Sequence, residues 1–209
     1  MQIAINSNKD RIHIKNYKGE KVFCPVCGGE LIVKMGDVNI HHFAHKTKTD
    51  CDEWNEMSEW HIEWQENFPK SSREIVIENH RADVRLKNLI IEFQKSPISR
   101  YELFERIFFY TEYSSLYFVF DVREVYEKGR IYKYWKWDNW YCWDWPSKSI
   151  VPTLKRHKYT AFLQINDHEL LKIEKIAGDK SWKKFKAIKI NKGDFIERLN
   201  NYAGGANGA

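Results

Sequence analysis

The chain has 209 residues, a hydrophobic share of 43%, an aromatic share of 15% and a formal net charge of +5. That length suits one main domain with a small appendage, and the apolar content excludes wholesale disorder. No apolar run is long enough to cross a bilayer, and the opening MQIAINSNKD lacks the apolar stretch of a secretory signal, so the expectation is a cytoplasmic protein without a membrane partner. The mild excess of positive charge permits a polyanionic partner without demanding one.

Residues 1–20 are predicted to form a short hairpin, because RIHIKNY alternates Ile12 and Ile14 with Arg11, His13 and Lys15. Residues 21–52 hold most of the Cys and His and little periodic apolar pattern, which predicts a small module organised by a metal. Cys24 and Cys27 in CPVC supply one pair of thiolates, and His42 and His45 in HHFAH are the natural second pair. Cys51 is the alternative ligand, and His41 is disfavoured. Four such ligands suit structural zinc, since a closed shell leaves no open position for chemistry. A redox dithiol is disfavoured because no βαβ pattern adjoins the motif.

From about Glu53 the pattern turns helical, with Trp54, Met57, Trp60, Ile62, Trp64 and Phe68 on the buried side and Pro69 as the stop. Strands are predicted in EIVIEN, HRADVRL and LIIEFQ, then a helix over Ser99–Tyr110 with Ser99 as cap and Glu102 in the capping-box position. SLYFVFDV reads as a buried strand. Residues 130–147 interleave Trp and Tyr with Lys and Asp. The rings of Trp135, Trp137, Trp140, Tyr141, Trp143 and Trp145 are read as an accessory core in preference to a surface that stacks single-stranded bases. YTAFLQIN and FKAIKI follow as short strands, then a helix near Asp194–Tyr202 and a tail expected to be disordered.

The sharpest pattern is HRADVRLKNLIIEFQ. Arg81, Asp83 and Arg85 share one strand face; Ile90, Glu92 and Gln94 share one face of the next. If Lys87 and Asn88 form a tight turn, antiparallel pairing sets Asp83 opposite Glu92. Opposed carboxylates repel each other. A hard divalent cation, Mg²⁺ or Mn²⁺, relieves that conflict. The alternative is a solvated sheet face on which both acids are exposed and paired to Arg81 or Arg85.

RADV (Arg81–Val84), IEFQ (Ile91–Gln94), Ser96 with Ser99, and Glu102 with Arg106, together with the upstream CPVC, HFAH and SEWHIEWQ, resemble the CoiA-like competence nuclease family over residues 20–120. The resemblance implies an α/β (α+β) fold. Its restriction-endonuclease-like core, of the PD-(D/E)xK type, is expected to be a mixed four-stranded sheet flanked by helices over residues 53–125. A zinc-ribbon-like module precedes it at 1–52, a Trp-rich and basic part follows at 126–203, and the tail is 204–209. It implies that Asp83 and Glu92 are the motif acids and that Gln94 stands where the superfamily mostly has Lys. Glu59 is the expected third acid of the Mg²⁺ or Mn²⁺ shell, with His61 and Glu63 as rivals.

Gln94 can hold a water but cannot supply a charge, so weak or strongly metal-dependent cleavage is the expectation. Arg81, Arg85, Lys95, Ser96, Arg100 and Arg106 are the expected DNA contacts, and Lys183, Lys184, Lys186, Lys189 and Lys192 form a further basic run. The functional expectation is a metal-dependent deoxyribonuclease with structural zinc and with DNA as its partner. A homodimer or a recombination or host protein partner is left open. The alternatives are an inactive nuclease-fold DNA-binding protein and a zinc-dependent phage or mobile-element interaction factor.

Overall fold

The computed structural model describes residues 1–37, 40–47, 51, 57–95, 97–144, 159–177 and 184–204. The chain is mixed α/β and divides into two compact units, Met1–Val84 and Arg85–Ala209.

The first unit opens with the expected hairpin: β1 (Ile3–Ile5) pairs antiparallel with β2 (Arg11–His13), Ile3 facing His13. Asn6 closes its turn by accepting from the Asn8 and Asp10 N–H groups at 2.9 and 2.8 Å. A second hairpin joins β3 (Leu31–Lys34) to β4 (His42–His45), with Leu31 opposite His45. The buried core beneath them is small, consisting of Ala4, Ile14, Val22, Cys24, Leu31 and Phe43. So few apolar groups rarely hold a fold by themselves.

Helix α1 (Glu59–Gln65) starts at a capping box, in which Ser58 accepts from the His61 N–H and the His61 side chain answers the Ser58 N–H. It buries Trp60, His61, Trp64 and Gln65. The part of the expected helix that falls in 52–56 lies outside the described residues. β5 (Arg73–Ile77) and β6 (His80–Leu86) then form an antiparallel hairpin, Val76 facing Arg81.

The division between units falls inside β6. The chain continues through a two-residue turn, Lys87 and Asn88, into β7 (Leu89–Gln94). Lys87 carries the turn at φ 51, in the left-handed region where a non-glycine residue is uncommon. β8 (Ser115–Asp121) lies parallel to β7, and the connection between them is α2 (Arg100–Tyr113). Parallel neighbours need such a crossover. Helix α2 starts as expected: Ser99 accepts from the Glu102 N–H at 3.1 Å. Its buried positions Leu103, Arg106, Ile107 and Tyr110 follow helical spacing.

After the short α3 (Arg123–Glu127) come β9 (Ile131–Lys133), β10 (Trp140–Trp143), β11 (Thr160–Gln164), β12 (Glu169–Ile176), β13 (Lys184–Asn191) and α4 (Lys192–Gly204). In this unit the strand order is β7-β8-β11-β12-β13-β10-β9. β7, β8 and β11 are parallel, and the other pairings are antiparallel. α4 closes on the sheet through Phe195, whose ring lies 4.5 Å from that of Phe162. Tyr141 and Trp143 are buried as an accessory core requires, whereas Trp135 and Trp137 are exposed. Trp145, Lys183 and the tail after residue 204 fall outside the described residues. Among the described residues no helix is long and apolar enough to cross a membrane.

Candidate metal centre and buried carboxylates

Cys24 and Cys27 sit on a tight turn just before β3. The Gly28 N–H reaches the Cys24 carbonyl at 2.9 Å, and the Val26 and Gly29 N–H groups donate to the Cys24 and Cys27 sulfurs, each at 3.4 Å. Gly28 holds φ 70, and a Cβ on Gly29 would stand 3.3 Å from Cys27 Sγ and 3.5 Å from His45 Cδ2. This turn therefore favours glycine at both positions. Pairing of β3 with β4 returns His45 to it.

The ligand atoms of Cys24, Cys27, His45 and Cys51 all lie within 4.8 Å of one another. Cys24 Sγ and Cys51 Sγ are 3.8 Å apart; His45 Nε2 is 3.4 Å from Cys27 Sγ and 3.5 Å from Cys51 Sγ. A tetrahedral zinc with Zn–S of about 2.3 Å and Zn–N of about 2.05 Å has S···S edges of about 3.8 Å and S···N edges of about 3.6 Å. The donor set fits zinc in chemistry and in spacing.

His42 is the correction. It was the natural second-pair ligand in the sequence, but Cys51 takes that place. The reason is local: β4 is extended, and residues 42 and 45 are an odd number apart, so their side chains leave opposite faces. A pair at this spacing converges on a turn or a helix and diverges on a strand. His42 Nδ1 instead meets the Ile40 carbonyl at 2.7 Å.

Burial chiefly lowers the His45 pKa, with help from Arg81 and the amino terminus, which keeps its ring neutral and ready to ligate. The Cys51 thiol is pushed up to about 12, first by burial and then by Cys27 and Cys24. Burial works against ionisation of Cys27 as well, but the Gly29 N–H and the neighbouring thiols outweigh it and bring its pKa down.

Asp83 and Glu92 are both buried, each in its own unit. Gln65 of α1 donates to Asp83 Oδ1 at 3.0 Å. Sequence reasoning passed over Gln65; the available signal was its place one turn beyond His61 on the face that carries the tryptophans. Glu59, the expected third acid, is on the exposed side of α1, as is Glu63. Glu59 lies six positions before Gln65, about 120° away around the helix, so a helix that aims Gln65 at Asp83 turns Glu59 toward water.

Glu92 is paired to Arg106 Nη1 at 3.5 Å, and Arg106 Nη2 binds Glu102 at 2.7 Å. Arg81 Nε lies 3.4 Å from Glu74, another buried acid that the sequence reading missed. Arg81 and Arg106, expected among the phosphate contacts, are thus buried counter-ions. Arg85 is half-buried, Gln94 is partly exposed, Lys95 and Arg100 are exposed, and Ser96 lies outside the described residues.

Residues 6–53 match the family model of the competence protein CoiA N-terminal domain. Over 34 residues, 16% of this chain, the sequence is 56% identical to competence protein CoiA of Bacillus subtilis (strain 168). That stretch spans only 9% of the relative's length. No solved structure matches the chain. All four members of the cysteine–histidine cluster fall inside the matched segment, and across residues 6–53 this protein is similar to the CoiA N-terminal domain family.

Proposed function

We propose that this protein is a metal-dependent DNA nuclease of CoiA type, acting in the cytoplasm in DNA processing or recombination. In this reading the cysteine–histidine cluster is a structural zinc clip, and a restriction-endonuclease-like core carries the chemistry. The observation that carries the proposal is the buried carboxylate of Asp83, aimed by the neutral amide of Gln65. Such an outer partner orients a metal-binding acid without cancelling its charge.

Asp83 and Glu92 would hold Mg²⁺ or Mn²⁺, which supplies Lewis-acid polarisation of a phosphodiester and acidifies water. Gln94 would position that water by hydrogen bonding. The test compares the parent with Asp83→Asn on single-stranded, duplex and branched DNA in Mn²⁺. The substitution keeps an oxygen for Gln65 and removes the charge. A loss of roughly 100-fold or more is expected, the scale on which preorganised electrostatic groups act; a variant that cuts as fast as the parent refutes the assignment.

One observation favours a second reading, a nuclease-fold DNA-binding protein without catalysis. Glu92 already has Arg106 as a counter-ion, and Gln94 supplies no charge. This reading expects shifted DNA without metal-dependent products, and a gain of cleavage in Gln94→Lys.

A further inference from the structure

The loop between β9 and β10 displays rings in a way that a packed core does not explain. Trp135 is 82% exposed and Trp137 47%, and Tyr132 on the adjoining edge strand is 41% exposed. Large aromatic side chains gain much from burial, so neighbouring exposed tryptophans call for a partner. The loop that carries them is held in shape. Tyr134 N–H reaches the Trp140 carbonyl at 2.6 Å, and Ala187 N–H reaches the Asn139 carbonyl at 2.9 Å. The Trp137 ring is wedged against Tyr134 at 5.3 Å and Trp140 at 5.1 Å.

Cations are set among these rings. Lys184 Nζ lies over the Tyr134 ring at 4.5 Å and the Trp137 ring at 5.6 Å, and Lys136 Nζ lies over Trp135 at 4.8 Å. Lys136, Lys175 and Lys186 line an open hollow with Trp137, Trp140 and the acid Asp138. Asp138 itself is 3.5 Å from Lys133. The patch is therefore positive on balance, with flat apolar faces among its charges.

We infer that this face is a binding platform for single-stranded nucleic acid, in which Trp135 and Trp137 stack on unpaired bases while Lys136, Lys175, Lys184 and Lys186 meet the phosphates. The chemistry selects this ligand. A polyanion without planar groups would use the lysines and leave the rings wet. A duplex presents its phosphates but keeps its base faces stacked inside. Only an unpaired strand offers both an anionic backbone and open π-faces at nucleotide spacing. The platform lies wholly in the second unit and does not depend on Asp83, Glu92 or any cleavage step.

The test uses the full zinc-loaded chain with no other divalent ion, so that hydrolysis does not enter the readout. Binding of fluorescein-labelled oligo-dT and oligo-rU is followed by anisotropy, and tryptophan quenching is recorded in parallel. Trp135→Ala should weaken both strands by about 5-fold to 150-fold, the range for one stacked base. Trp135→Phe should recover much of that loss. Lys136→Ala should weaken binding and flatten its salt dependence. Either strand chemistry supports the platform, since DNA and RNA share bases and phosphates. Parent-like affinity in Trp135→Ala, or duplex and heparin binding as tightly as oligo-dT, would overturn it. Trp135 is exposed and touches no core, so a folding defect does not obscure the result.

Discussion

Cys51 Sγ stands 3.8 Å from Cys24 Sγ, the edge length of a zinc tetrahedron and far beyond the roughly 2.05 Å of a disulfide. Cys51 is thus placed as a zinc ligand would be, and His42, on the other face of β4, is not. Cys51→Ala should lower zinc affinity by more than the roughly 10-fold to 100-fold that losing an outer-sphere partner costs. His42→Ala should stay near the parent. Competition against a chromophoric chelator measures both, and the reverse ranking would return the histidine pair to the site.

The same cluster fixes a pH dependence. Cys51, with its thiol pushed up to about 12 by burial and by its sulfur neighbours, is protonated at neutral pH when no metal is bound. Zinc takes the thiolate, so binding expels that proton. Apparent affinity should therefore rise with pH, by about tenfold per unit for this proton alone. His45, held neutral by burial, should add proton competition only in more acidic solution. Chelator competition at several pH values between 6 and 9 checks the slope; an affinity that does not change with pH would contradict it.

Much of this was legible in advance because it is local. Alternation located β6 and β7, the SxxE pattern located the start of α2, and the helical spacing of apolar residues fits the buried face of α1. Choosing between His42 and Cys51 needed to know that HFAH is a strand, since the same spacing converges on other backbones. Arg81 and Arg106 were hidden for another reason: their partners Glu74 and Glu92 are set by packing of elements, and charge in a sequence does not announce whether it faces water or a buried acid.

Glu74 illustrates what that packing is worth. Its carboxylate accepts the Gln2 and Ile3 N–H groups at 2.9 and 3.4 Å and faces Arg81, all out of water. Removing one member of a buried ion pair strands the other and costs about 3–5 kcal/mol. Glu74→Ala should fall in that range by urea unfolding and should loosen the N-terminal strand. The exposed pair Lys46–Glu30, at 3.1 Å, should be worth less than about 1 kcal/mol. Equal effects from the two would mean that burial of Glu74 is not what stabilises the pair.

The two polar residues of α1 separate by the same logic. Gln65→Ala leaves the buried Asp83 oxygen without its amide donor and should cost about 1–3 kcal/mol, with a parallel loss in whatever Asp83 does. Glu59→Ala alters a solvated side chain and should stay within about 0.5 kcal/mol of the parent. In a Mn²⁺-dependent cleavage assay the ranking should repeat, with Gln65→Ala slower than Glu59→Ala. Should Glu59→Ala abolish cleavage while leaving stability intact, the exposed carboxylate reaches the metal after all, and Gln65 is only a packing contact.

Arg106 gives the sharpest contrast between a buried and an exposed cation. It lies between Glu92 and Glu102, so Arg106→Met leaves Glu92 buried without its guanidinium and should destabilise the fold by about 3–5 kcal/mol. Lys95 is exposed, and Lys95→Ala should leave stability almost unchanged. On DNA the order reverses. A phosphate-contacting lysine contributes about one unit to the slope of log affinity against log salt, and a buried arginine contributes none. Measured at a temperature where both variants are folded, Lys95→Ala should flatten that slope and Arg106→Met should not. A flattened slope in Arg106→Met would show the guanidinium meeting phosphate, and its place beside Glu92 would then be that of a mobile contact.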